Sequence, residues 1–104
     1  MAIHSKVSKA KIENGVRDRK AFTLNGSMSG VEYSEKFPYS NSYRREVEGA
    51  TYVINSYAQP VAWFRDGEWF ATERKWSVTT TNHTSNARLA IYNVTGAWPT
   101  PVPA

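Results

Sequence analysis

The tightest constraint on this chain is the dipeptide Asp66-Gly67, set between two runs of β-branched and aromatic residues. Asp-Gly suits the two positive φ angles of a type I′ turn, whose twist matches that of the strands it joins. Val61-Ala62-Trp63-Phe64-Arg65 and Glu68-Trp69-Phe70-Ala71-Thr72 are therefore expected as a hairpin, and the two-residue loop fixes its register. Arg65 faces Glu68, Phe64 faces Trp69, Trp63 faces Phe70, Ala62 faces Ala71 and Val61 faces Thr72. Alternation then puts Val61, Trp63, Arg65, Glu68, Phe70 and Thr72 on one side, with Ala62, Phe64, Trp69 and Ala71 on the other. Both sides carry aromatics, so either the hairpin is covered twice or one aromatic face is open to a ligand. The Trp63 and Phe70 face, which also carries Arg65 and Glu68, is the one expected to open at its turn end. Phe64 and Trp69 are expected to pack as core.

Around this hairpin the rest of the chain reads as an α+β domain, mainly an antiparallel meander with one C-terminal helix on the sheet. Thr51 to Tyr57 and Trp76 to Thr81 have strand composition, which extends the hairpin to four strands over about 51–81. Ala21 to Leu24 and Ser27 to Tyr33 suggest a weaker pair around Asn25-Gly26, and Ser34 to Arg45 an irregular loop. A helix is expected from Asn86 to Thr95, capped by Thr84 or Ser85, closed by Gly96, and bearing the stripe Ala87, Ala90, Ile91 and Val94. Residues 97–104, with Pro99, Pro101 and Pro103, are expected as an extended or disordered tail. The domain proper is then 21–96.

The 104 residues leave room for one core, and the absence of cysteine excludes disulfides, thiolate metal sites and cysteine nucleophiles. Charge is unevenly placed. Residues 1–20 hold Lys6, Lys9, Lys11, Arg17, Arg19 and Lys20 against Glu13 and Asp18, a net +4, while seven basic and seven acidic residues cancel in 21–104. The first twenty residues therefore read as a flexible basic arm able to contact phosphates by counterion release, or simply as a solubilising terminus. The Asn14-Gly15 pair also permits a hairpin there. No apolar run near the start has the length of a signal peptide or membrane helix, so a cytoplasmic protein without membrane contact is expected.

Chemistry has little to build on. His4 and His83 are the only histidines, and no pair of ligands sits at metal spacing, so neither metal nor cofactor is expected. A Ser/His/Asp-type set would have to be gathered from Thr80, His83 and Asp66 without a nucleophile elbow. His83 reads better as a polar residue at a helix start or strand end. The compositional excess is aromatic, with four Trp, six Tyr and four Phe. Aromatics on a sheet beside arginines make stacking platforms for single-stranded nucleic acid. Tyr57, Trp63 and Phe70, with Arg65, Arg74 and Lys75, are candidates for such a surface, although rings in a domain poor in Leu and Ile also serve as core.

One stretch resembles a known family. Tyr52-Val53-Ile54, Ser56-Tyr57-Ala58-Gln59-Pro60-Val61-Ala62-Trp63, Asp66-Gly67-Glu68-Trp69 and Trp76-Ser77-Val78-Thr79-Thr80-Thr81-Asn82-His83 are similar to a domain of unknown function in small proteins of actinobacterial tailed phages. There a Ser-Tyr-x-Thr-Pro-Ile/Val-Ala-Trp segment precedes a Tyr-Ser-x-Thr-Thr-x-x-His segment. This chain departs at Gln59 and Trp76. The resemblance implies a phage accessory protein made in a bacterial cytoplasm and brings no activity with it.

The leading expectation is a non-catalytic binding protein for nucleic acid, with the six basic residues of 1–20, Tyr57, Trp63, Arg65, Phe70, Arg74, Lys75 and His83 as contact candidates. The alternatives are a protein-binding modulator of a host pathway and a small hydrolase centred on His83. The oligomeric state is left open.

Overall fold

The structure, a computed structural model, describes residues 6–24, 28–32, 47, 49–57, 59–73 and 78–103. Along the chain come α1 (Lys6–Asp18), β1 (Phe22–Leu24), β2 (Met28–Glu32), β3 (Tyr52–Ser56), β4 (Gln59–Arg65), β5 (Glu68–Thr72), α2 (Val78–Thr95) and β6 (Thr100–Val102). The strands lie in sequence order in one sheet, antiparallel from β1 to β5, with β6 parallel to β5. The α+β architecture with a C-terminal helix on the sheet is as the sequence predicts.

The Asp66-Gly67 hairpin forms with the expected register from Arg65–Glu68 to Ala62–Ala71. Its turn residues take φ values of 52° and 79°, both positive as a type I′ turn requires. The register is broken one step later. A bulge between Ile54 and Asn55 leaves Val61 without an opposite residue on β3. Val61 is fully buried in the helix-side cluster, not on the Trp63 side as strict alternation predicts.

Both helices cover one side of the sheet. α1 packs on α2 and β1, while α2 lies across β3, β4 and β5. Ile12 and Val16 from α1 join Tyr52, Ile54, Ala62, Trp69, Ala71, Ala87, Ala90 and Ile91 in this core. Gly15 permits the approach. A Cβ there would sit 2.6 Å from the Phe22 ring and 2.8 Å from the Tyr52 hydroxyl. The other side holds a smaller cluster of Val47, Ala50, Val53 and Trp63, with Val31, Phe70 and Val102 against it.

Three sequence expectations change. Residues 6–18 are helical instead of a flexible arm or hairpin, because Ile12 and Val16 supply a buried stripe and Gly15 serves close packing instead of a turn. Val78 to Thr81 open α2 instead of closing a meander. β-branched residues favour strands only weakly, and the helical stripe of Ala87, Ala90 and Ile91 continues backwards through buried Thr84. Thr84 and Ser85 are therefore inside the helix, not at its start. Finally, Thr100–Val102 is a paired strand, with Glu73 N–H donating to the Val102 carbonyl at 2.9 Å. The loop expected at 34–45, and Trp76 and Ser77, lie outside the described residues.

Candidate nucleic-acid interface

α1 carries four of the six basic residues in 1–20 that the sequence singles out. Lys9, Lys11 and Arg17 on the helix, with Arg19 and Lys20 just after it, are exposed. None of them is in an ion pair among the described residues. Arg17 instead donates from a guanidinium nitrogen to Asn14 Oδ1 at 2.7 Å, and the Arg19 guanidinium lies 4.8 Å from the Phe64 ring centre. Lys6 begins the helix.

The end of α1 explains how Arg19 is placed. Lys20 N–H donates to the Gly15 carbonyl at 3.2 Å, the long-range bond of a Schellman cap, and Arg19 takes the left-handed conformation with φ of 52°. Glycine usually fills that position. The Tyr52 hydroxyl then donates to the Lys20 carbonyl at 2.6 Å and pins the exit of the helix to the sheet. Burial, and secondarily the nearby Glu32 carboxylate, push the Tyr52 phenol well above its ordinary pKa, so it remains a donor at all working pH values.

α2 ends close by. Gly96 closes it with φ of 81°, its N–H donating to the Tyr92 carbonyl at 2.8 Å. Between the two helix ends and the hairpin turn lies a cleft of about 410 Å³. Val16, Phe64, Trp69, Ile91 and Val94 give it an apolar lining, while Arg17, Arg19 and Glu68 bring the charges. Glu68 accepts a hydrogen bond from the Thr100 hydroxyl, which ties β5 to β6 at the cleft wall. Trp98 also lines the cleft and is 56% exposed. It stacks on Tyr92, which is itself 40% exposed, with ring centres 4.4 Å apart and planes 18° from parallel.

The remaining sequence candidates do not join this surface. Trp63 is fully buried, which corrects the expectation that its ring is open to water. It stacks on Phe70 in the cluster on the far side of the sheet, and the Arg65 guanidinium covers Phe70 at 4.5 Å. Tyr57 and His83 form a separate corner beside the start of α2, about 18 Å along that helix from its end. There Tyr57 has φ of 57°, is 60% exposed, and lies 6.1 Å from the His83 ring. His83 Nδ1 and Ser56 Oγ share a hydrogen bond of 2.6 Å. Desolvation lowers the His83 pKa. Ser56 has no exposed surface, and the pair joins strand β3 to helix α2. Arg74 and Lys75 lie outside the described residues.

Sequence reading passed over Tyr92 and Trp98. The available signal was a tyrosine outside the apolar stripe of α2 together with a tryptophan just beyond the helix stop, two large rings with no core position to fill.

Neither helix is long and apolar enough to cross a membrane among the described residues. Residues 10–93 match the model of a family of unknown function, DUF8033, which spans most of the chain from α1 through α2. The chain belongs to that family. Trp98 and β6 lie beyond the matched residues. No curated protein and no solved structure matches the chain.

Proposed function

We propose that this member of a family of unknown function is a non-catalytic binding protein whose partner is nucleic acid, held through α1 and the residues that cap it. One observation carries the reading. The whole net charge of +4 falls within residues 1–20, and the exposed Lys9, Lys11, Arg17, Arg19 and Lys20 there are free of carboxylate partners among the described residues. Cations without carboxylate partners on an ordered helix can displace counterions from a phosphate backbone while losing little conformational entropy. The complete burial of Ser56 beside His83 favours binding over catalysis. The resemblance to small phage proteins favours the cytoplasm of an infected bacterium as the site of action.

The test is the salt dependence of binding. Removing residues 1–20 would take Ile12 and Val16 out of the core, so charge must be removed in place. Lys9→Gln, Lys11→Gln and Arg17→Gln should leave the fold intact. For each phosphate no longer neutralised, the slope of log affinity against log salt should flatten by about 0.7 for single strands or 0.9 for duplex. A wild-type protein that binds neither form at low salt would reject the reading.

A second reading is a protein partner, favoured by the exposure of Leu89, Tyr92 and Trp98. Exposed aromatics of this kind anchor protein interfaces.

A further inference from the structure

We infer that the cleft receives one unstacked base of a single-stranded nucleic acid, laid against Trp98, while the backbone phosphates stay outside on the cations of α1. This rests on the nucleic-acid reading above and narrows it to single strands.

The charge balance of the cleft decides what enters it. Arg17 and Arg19 contribute +2 and Glu68 contributes −1. Both helices also bring their C-terminal ends to the cleft, each with the equivalent of roughly −0.5. The sum is near zero. A phosphate gains little by entering, whereas a neutral planar ring finds an apolar lining of Val16, Phe64, Ile91 and Val94. The cleft volume of about 410 Å³ falls within the range of about 300–1,000 Å³ usual for small-ligand sites.

Trp98 supplies the stacking surface. Tyr92 covers one face of the indole, yet more than half of the residue is exposed, so the second face is available. The stack with Tyr92 also holds the ring in place before any ligand arrives, which lowers the entropy lost on binding. A paired duplex keeps its bases inside and offers Trp98 no ring face, whereas a single strand can turn a base outward. Lys9 lies eight residues before Arg17, about 12 Å along the helix, so exposed cations continue along α1 away from the cleft.

The experiment compares three ligands of equal length on the full chain: a mixed-sequence single strand, its duplex, and a single strand of abasic sites. Binding of the intact single strand should exceed that of the abasic strand at every salt concentration. Trp98→Ala should weaken the intact strand about five- to 150-fold, the range for loss of one stacked base, and leave the duplex and the abasic strand unchanged. Trp98→Phe should recover most of the loss. Circular dichroism of both variants should match the wild type. If Trp98→Ala binds the intact strand as the wild type does while salt dependence persists, the cleft is not a base site although the phosphate reading stands. If the wild type binds none of the three, both fall together.

Discussion

Two near-parallel tryptophan stacks, 16° and 18° from coplanar, occupy opposite situations in this molecule. Trp63 on Phe70 lies between neighbouring strands, with Val47 and Ala50 in the same cluster, and Trp63 has no exposed surface. Trp98 on Tyr92 sits past the end of α2, with both rings substantially open to water. The chemistry of the pairs is similar, so the ring type alone does not say whether a stack is core or platform. What separates them is whether another element follows in space. A tryptophan on a central strand is covered by whatever packs on the sheet, whereas one that follows a helix stop is covered only by its own neighbour.

The contrast can be broken most directly at Trp63. Replacing it with alanine should cost about 3–5 kcal/mol, the usual range for emptying a buried aromatic site, and chemical denaturation would measure it. A loss under about 1 kcal/mol would mean that this side of the sheet is not a packed core. The helix-side core should resist added volume as well. Gly30→Ala would drive a methyl group into the Tyr52 hydroxyl and the Phe22 ring, with an expected cost of about 1–3 kcal/mol in the same assay.

The His83 corner lies between the two extremes and should respond to pH. Desolvation lowers the folded-state pKa of His83 below its ordinary 6.5. The unfolded chain therefore takes up the proton first as pH falls, and stability should decline from about pH 6.5 down towards the folded-state value. His83→Gln should flatten that part of the stability profile, and an unchanged slope would remove His83 from the balance. The smallest effect is expected at Trp98→Ala, at or below about 1 kcal/mol, since the loss is confined to one exposed stack. Acrylamide quenching of single-tryptophan variants sharpens the comparison without relying on stability. Trp98 should be quenched readily and Trp63 protected, and equal quenching would abolish the distinction between the two stacks.

The hairpin was legible because its information is local. Asp66-Gly67 selects the turn, and the turn selects the pairing of Arg65 with Glu68 and of the three residue pairs behind them. The side that Val61 takes was not legible, because the bulge opposite Ile54 and Asn55 is a property of β3 and β4 together. The start of α2 was hidden by its own residues. Thr79, Thr80 and Thr81 have strand propensity, and the partner that rewards a helix there, Ser56 against His83, is 27 positions away. α1 was obscured by charge, since two buried apolar side chains, Ile12 and Val16, are a faint stripe in a helix that also holds four cations. The cleft could not be read at all, because its lining comes from α1, the hairpin, α2 and the approach to β6, which meet only in the folded chain.

The arginine that caps α1 has a consequence for how this protein tolerates variation. Holding a non-glycine residue in the left-handed region costs about 1–2 kcal/mol relative to glycine, and a guanidinium over an aromatic ring returns roughly 0.5–1 kcal/mol at an exposed site. The ring contact offsets only part of the cost, so folding does not favour Arg19 over glycine. In a saturation library scored for cellular abundance, Arg19→Gly should rank at or above the wild type. Scored for ligand retention, the same variant should fall. A residue that stability does not favour is free to be set by the partner, and position 19 is where those two scores should diverge.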